Sequence, residues 1–403
     1  MSAFSPEFIK AIPKTDLHLH LDGSLRVSTL IELAHEAGVE LPADDEPGLR
    51  ALVFKDKYAN LEDYLRGFGL TTAVMQSEAA LFRVSYELMI DNAAEGVRYI
   101  EVRFAPQLLM SEKMSFRQVM EAVDRGLRQA RDELNSRLGA NEPGYDYGII
   151  VCAMRFFNEY FSPYYRHFTQ QHAASTPSEI IRLASIEAAR ETVRLRREST
   201  IQVVAFDIAG AENGFPASDH AEAYALIDAG LLGKTVHAGE AFGPESIFQA
   251  VATLQTQRIG HGLHLFDQKM IQHPKTTDPQ RYVDDLVNYI AERRITLEVC
   301  LTSNLQTTPE IGEMRNHALR TMLERDLSLS LCTDNRLVSN TTVCKEYQLA
   351  LDNFPIAAPA LKKLAIEGFK RSFCYHPYAK KQAYVRSIVD YYDAVAGKFS
   401  VSA

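Results

Sequence analysis

The stretch "TDLHLHLDGSLR", residues 15–26, alternates leucine with histidine and then breaks at an Asp-Gly pair. Along an extended strand successive side chains point to opposite faces, so Leu17, Leu19 and Leu21 share one face and His18 and His20 the other. The leucine face can pack on an apolar layer while both imidazoles converge at the end of the strand, where Asp22-Gly23 turns the chain. Histidines so placed are either satisfied by backbone carbonyls or supply half of a metal's ligands at the mouth of a pocket. Further ligands elsewhere in the chain decide between the two.

Seven more β-branched runs follow: "VRYIEVRFA" at 97–105, "YGIIVCAM" at 147–154, "IQVVAFDIAG" at 201–210, "GKTVHAG" at 233–239, "RIGHG" at 258–262, "ITLEVCLTSN" at 295–304 and "LSLSLCTDN" at 327–335. Between them lie segments such as "EAALFRVSYELMIDNAAEG" and "SEIIRLASIEAARETVRLRR", whose apolar residues recur three and four apart and suit helices that cover a parallel sheet. Eight strand-then-helix units predict an α/β fold, a (β/α)8 TIM barrel. The 403 residues exceed the ~250 typical of that fold, which leaves room for additional helices over the carboxyl-terminal face. No Gly/Ser-rich or Pro-rich linker divides the chain, so residues 1–403 read as a single domain.

Two segments interrupt the alternation. Residues 28–75 carry Leu61, Tyr64, Leu65 and Phe68 at helical spacing, a stripe that suits core packing or, since it follows the first strand, a roof over the pocket. Residues 155–177, "RFFNEYFSPYYRHFTQQHAASTP", place Phe156, Phe157, Tyr160, Phe161, Tyr164, Tyr165 and Phe168 within fourteen positions. A helical hairpin packed on its own barrel accounts for them, and a subunit contact or substrate lid is the alternative if they are exposed.

Hydrophobic residues at 46% and charged residues at 24% describe an ordinary globular protein. A net charge of −9 gives no electrostatic reason to expect nucleic acid or an anionic membrane as partner. With no apolar run of signal-peptide or bilayer-spanning length, the expected location is the cytoplasm. Five scattered cysteines without CxxC spacing suggest neither a disulfide framework nor a cysteine zinc site.

The catalytic groups of such a barrel sit at the carboxyl ends of its strands. The first end offers His18 and His20, the fifth His237 and Glu240, the sixth His261, and the eighth Asp334 and Asn335. Three histidines and an aspartate are the nitrogen and oxygen donors a Zn²⁺ ion accepts, with a position left for water.

Taken in order, "TDLHLHLDGSLR", "EGVRYIEVRFAPQLL", "FDIAGAE", "VHAGE", "RIGHG" and "SLCTDN" resemble the motif set of the adenosine deaminase family, within the metal-dependent amidohydrolases, from about residue 12 to about residue 350. The resemblance implies one Zn²⁺ per chain held by His18, His20, His237 and Asp334. It implies hydrolytic removal of the 6-amino group of a purine nucleoside, adenosine or 2′-deoxyadenosine, with Glu240, His261 and Asp334 catalytic. Substrate contacts would come from His20, from Asp22 near the 5′-hydroxyl, from Gly210 against the purine and from Asn335. Glu240, if protonated, can donate to ring N1 and make C6 electrophilic. Many members have two aspartates where this chain has Asp334-Asn335; an asparagine can donate to purine N7 at any pH. "HLDG" resembles the nucleoside-acting branch more than the "HIEG" of the base-acting one. Alternatives are a deaminase of adenine or of another 6-aminopurine derivative, and a purine-nucleoside-binding or signalling protein without catalysis.

Overall fold

The computed structural model describes residues 4–272 and 276–401. Its eight strands are β1 Lys14–His20, β2 Val97–Phe104, β3 Asp146–Met154, β4 Val203–Ala209, β5 Gly233–Ala238, β6 Arg258–His261, β7 Thr296–Val299 and β8 Ser328–Leu331. All pair in parallel with their sequence neighbours, in the order β1 to β8. The barrel closes where β8 meets β1: the His20 N–H donates to the Asp334 carbonyl and the Asp334 N–H to the His18 carbonyl, each at 2.8 Å. This is the (β/α)8 barrel expected from the spacing of the apolar runs. The runs hold Val, Ile and Leu almost without break because both faces of the sheet are covered, by helices outside and by side chains within.

Helices such as Glu78–Ala93, Phe116–Asn135 and Pro177–Glu198 form the outer layer. The last two begin with reciprocal capping boxes, Ser115 with Gln118 and Thr176 with Glu179, which satisfy backbone donors that a helix start leaves open. The closing seam is covered by Ala358–Arg371, where a Cβ on Gly368 would lie 1.9 Å from Thr15 Oγ1. Only glycine allows the helix to settle that close to β1.

Two expected strands are shorter than their apolar runs. The seventh ends at Val299 and "LTSN" opens the helix Leu301–Thr307; the eighth ends at Leu331, with Asp334 and Asn335 on the turn beyond it. In both places side chains aimed at the barrel mouth take over from the ladder. The 28–75 segment forms Val27–Ala37, Glu46–Leu52, Leu61–Leu65 and Phe68–Val74. Its last two helices bring Tyr64 to Asn335 and Phe68 to within a 6.5 Å ring-to-ring distance of His20, so this segment does roof the mouth. In the 155–177 segment, Phe157, Tyr165 and Phe168 pack with Ile180, Ile181 and Ala184 of the following helix, as a hairpin on its own barrel does. Tyr160 and Phe161 remain exposed. Among the described residues, no helix is long and apolar enough to cross a membrane.

Candidate active site

At the carboxyl-terminal mouth of the barrel, β1 supplies His18 and His20, β5 supplies His237, and the turn after β8 supplies Asp334. One donor atom from each of the four falls within 4.8 Å of all the others. His20 Nε2 lies 3.1 Å from His237 Nε2, while Asp334 Oδ1 lies 3.3 Å from His18 Nε2 and 3.4 Å from His20 Nε2. Donors placed tetrahedrally about a Zn²⁺ at its usual nitrogen and oxygen distances stand about 3.3–3.4 Å apart. These three separations therefore match edges of such a cage. His18 Nε2 is buried without a hydrogen-bond partner, a cost that an ion at the centre would remove.

Three of the four donors, His18, His237 and Asp334, are each aimed by a second residue. His18 Nδ1 lies 2.9 Å from Glu298 Oε2, and His237 Nδ1 lies 2.9 Å from Asp207 Oδ2, short of a linear hydrogen bond. An imidazole whose Nδ1 faces a carboxylate keeps its proton there and leaves the Nε2 lone pair for the centre. Arg103 spans both carboxylates, Nη1 to Asp207 and Nη2 to Glu298, at 2.7 Å each. Arg258 Nε meets Glu298 Oε1 at 2.6 Å and its Nη2 pairs with Glu101. Burial alone would lift the Glu298 carboxyl, but Arg103, Arg258 and His18 outweigh it and hold it well below the usual range. The Ser303 hydroxyl donates to Asp334 Oδ2 at 2.6 Å, which leaves Oδ1 to face the imidazoles.

Both Asp334 (φ 61°) and His261 (φ 64°) adopt the left-handed region, a strained conformation for residues other than glycine and one that recurs at functional sites. The fourth expected histidine, His261, ends β6 with Nε2 3.6 Å from Glu240 Oε1. Its Nδ1 lies 2.9 Å from Asn304 Nδ2, and Asn304 Oδ1 lies 3.2 Å from His317 Nε2. His317 Nδ1 in turn accepts from the Leu319 N–H at 3.0 Å. That backbone donor makes His317 Nδ1 an acceptor and Nε2 its N–H, so Asn304 takes a hydrogen bond on Oδ1 and gives one from Nδ2. His261 Nδ1 then accepts, and its Nε2 carries the proton into the site.

Glu240 is buried rather than a solvated loop carboxylate. Burial, reinforced by the charges of Asp334 and Glu212, pushes its carboxyl well above the ordinary range, which favours the protonated form. Asp22 is lifted to about 7, mainly by burial, and its Oδ1 lies 3.9 Å from His20 Nδ1 with no hydrogen-bond partner. Asn335 donates from Nδ2 to the Tyr64 hydroxyl at 2.8 Å, and the hydroxyl meets Ser339 Oγ at 2.7 Å. One amide N–H thus remains uncommitted. The Asn335 Oδ1 packs where a Cβ on Gly23 would stand, so Gly23 makes room for this side chain. Gly210, with φ 96°, turns the chain just after β4 on the same rim.

The tertiary structure adds residues that the motif reading left without a role: Arg103, Asp207 and Glu298 beneath the ligands, and Tyr64, Ser303, Asn304 and Glu212 around the rim. A signal for Asp207 and Glu298 is present, since each is the one charged residue of its strand run, "VVAFDIA" and "ITLEVC"; Arg103 shares "VRYIEVRFA" with Arg98 and Glu101 and does not stand out in this way.

A family model described as adenosine deaminase matches residues 13–391. A probable adenosine deaminase of Dictyostelium discoideum is 35% identical over 368 residues, covering 91% of this chain and 41% of that protein, so the chain spans less than half of that relative. Adenosine deaminase 1 of Streptomyces coelicolor is 32% identical over 388 residues, covering 96% of this chain and 88% of that one. Among solved structures, the Arabidopsis N6-mAMP deaminase MAPDA superposes with a TM-score of 0.73 at 26% identity, over 95% of this chain and 99% of its own.

Proposed function

Since the chain belongs to the adenosine deaminase family of hydrolases acting on C–N bonds, we propose that it converts adenosine and 2′-deoxyadenosine, with water, to inosine and 2′-deoxyinosine plus ammonia. The observation that carries this reading is the conjunction of the four-donor cage with a buried carboxyl, Glu240, and an imidazole N–H on its rim. The donor set suits one Zn²⁺ per chain, held by His18, His20, His237 and Asp334, which when bound lowers the pKa of water toward neutrality.

The remaining work falls to the chain's own groups. Glu240, kept protonated by burial and by the neighbouring negative charges, donates to purine N1. That proton localises the N1–C6 bond and opens C6 to the attacking oxygen. His261, with its proton on Nε2, acts as a hydrogen-bond donor to that oxygen, a narrower role than that of a base accepting from it. Glu240, ionised by that donation, takes back one proton of the attacking water; as the tetrahedral centre collapses the proton left on the C6 oxygen passes to N6, the C6–N6 bond breaks and N6 leaves as ammonia. Asp22 takes a sugar hydroxyl, the Gly210 backbone lies against the purine, and the second amide N–H of Asn335 serves N7. One barrel carries every one of these groups, which supports treating residues 1–403 as a single catalytic domain.

The test is a side-by-side assay of the metal-loaded protein on adenosine, 2′-deoxyadenosine, adenine, AMP and N6-methyl-AMP, with ammonia release measured. Preferential turnover of the two nucleosides, lost on chelation and regained with Zn²⁺, is the expected result. Turnover confined to adenine or to the nucleotides would overturn the substrate assignment. Nucleoside binding without turnover of any substrate would make the protein a binding module.

A further inference from the structure

The last residue of "FDIAGAE", Glu212, enters the account above only through its charge, yet its carboxylate is among the most heavily hydrogen-bonded groups in the molecule. Oε1 accepts from the Gly239 N–H at 2.8 Å and from the Ser246 hydroxyl at 2.5 Å. Oε2 accepts from the N–H groups of Glu240 at 2.9 Å, Ala241 at 2.7 Å and Phe242 at 3.0 Å. Four of the five partners are backbone N–H groups, which can only donate, and Glu212 is buried, so both carboxylate oxygens serve as acceptors. Four consecutive backbone N–H groups pointing at one anion form a nest, a motif that commonly holds a bound phosphate or cluster. Here the anion comes from the chain itself.

The nest requires Gly239, whose φ of 71° lies in the left-handed region and whose added Cβ would stand 2.5 Å from the Ile247 side chain. At its upstream end the loop is held by Arg155, which donates from Nη2 to the His237 carbonyl and from Nη1 to the Phe215 carbonyl, both at 2.5 Å. The peptide that joins a cage residue, His237, to Glu240 is therefore pinned at both ends by buried charges from the neighbouring β3 and β4 loops.

We propose that Glu212 is the positioning residue of the proton donor: by gathering the four amides of residues 239–242 it fixes the backbone from which the Glu240 carboxyl enters the site. The inference rests on the reading of Glu240 as the acid. Its charge adds to the effect, because the groups facing Glu240 are Asp334, Glu212 and Glu62 on the negative side, Arg155 on the positive side, and His261. Replacing Glu212 by a neutral residue removes one of the charges that keep the Glu240 proton in place.

The experiment compares Glu212→Gln, Glu212→Asp and Glu240→Gln with the wild-type holoenzyme. It reads metal content, amide hydrogen exchange at residues 239–242, and kcat and KM for adenosine as functions of pH. In Glu212→Gln, an NH2 replaces one acceptor oxygen and opposes the amides it faces. Exchange at 239–242 should accelerate at least tenfold, and kcat should fall by about 100-fold, the effect of misplacing a reacting group by about 1 Å, with metal content unchanged. Activity requires the proton on Glu240, so its loss on the alkaline side should move to lower pH. Glu212→Asp keeps the charge on a shorter arm. It should leave that alkaline limb in place and recover at least tenfold of the lost kcat.

Wild-type exchange, or a kcat within threefold of wild type, in Glu212→Gln overturns the proposal. If that variant does not fold, Glu212→Asp decides: a kcat lowered three- to tenfold at unchanged metal content supports it and a wild-type kcat overturns it. Glu240→Gln separates the two readings. Near-normal turnover there removes the acid assignment itself, whereas an inactive Glu240→Gln beside a normal Glu212→Gln removes only the positioning role.

Discussion

Asp207→Asn tests how the metal cage is oriented, because the change preserves shape and alters only charge and hydrogen-bond polarity. Asp207 Oδ1 accepts from the backbone N–H groups of Ile208 at 2.7 Å and His237 at 3.2 Å, and an amide oxygen can keep both. Oδ2 faces His237 Nδ1 at 2.9 Å and Arg103 Nη1 at 2.7 Å. There the variant presents an NH2 group, which donates. His237 can accept that donor only by moving its proton to Nε2, the atom 3.1 Å from His20 Nε2 in the cage. A protonated Nε2 has no lone pair to give, so metal affinity should fall 10- to 100-fold, about 1.4–2.7 kcal/mol. Arg103, fully buried, keeps only Glu298 as its carboxylate partner. The apoprotein should therefore lose about 3 kcal/mol, the lower end of the cost of breaking a buried pair, because one partner survives. Competition for Zn²⁺ against a chromophoric chelator measures the first quantity and urea unfolding of the apoprotein the second. An affinity within threefold of wild type, in a variant that still unfolds cooperatively, would refute the claim that Asp207 sets the His237 tautomer.

Two further expectations concern other parts of the mouth. Asn335→Leu should weaken adenosine binding by about 1–3 kcal/mol, the cost of leaving purine N7 buried and unpaired, while binding of 7-deazaadenosine stays as it was; equal losses for the two ligands would mean that the amide does not reach N7. Glu346 is buried beneath Thr302 and Thr341, and burial lifts its carboxyl from 4.5 to about 7. The folded state thus binds this proton more tightly than the unfolded chain, so the group's contribution to stability is complete below pH 4.5 and is lost as pH rises through 7. The shift corresponds to about 3 kcal/mol. The difference in unfolding free energy between wild type and Glu346→Gln should change by about that amount between pH 4.5 and pH 8, and a difference independent of pH would remove the argument.

The eight strands and the histidines and carboxylates at their ends are legible without coordinates because both follow local rules, while the choice of four of them as a cage is what the resemblance to the family's motifs implies. Period-two alternation in "TDLHLHL" puts two imidazoles on one face, and a barrel delivers the ends of all its strands to one mouth. The seventh strand shows where such rules stop. "ITLEVCLTSN" is apolar and β-prone throughout, yet the chain leaves the sheet after Val299 and the helix Leu301–Thr307 carries Ser303 to Asp334 and Asn304 to His261. Propensity cannot anticipate that change, since its stabilisation comes from partners dozens of residues away.

By itself the sequence determined the barrel, the donor types at its strand ends and the family to which they belong, since each depends on periodicity or on motifs of a few adjacent residues. Only the tertiary structure decided which atom of each donor faces the centre. Asp207, Glu298 and Arg103 come from three different strands, as do His18, His237 and His261, and the tautomer of an imidazole is set by whatever lies against its other nitrogen. The upward shift of the Glu240 carboxyl belongs to the same class. It depends on burial and on the charges of Asp334, before it in space but 94 positions away in sequence, and of Glu212 on the loop after β4, so it exists only once the barrel has closed.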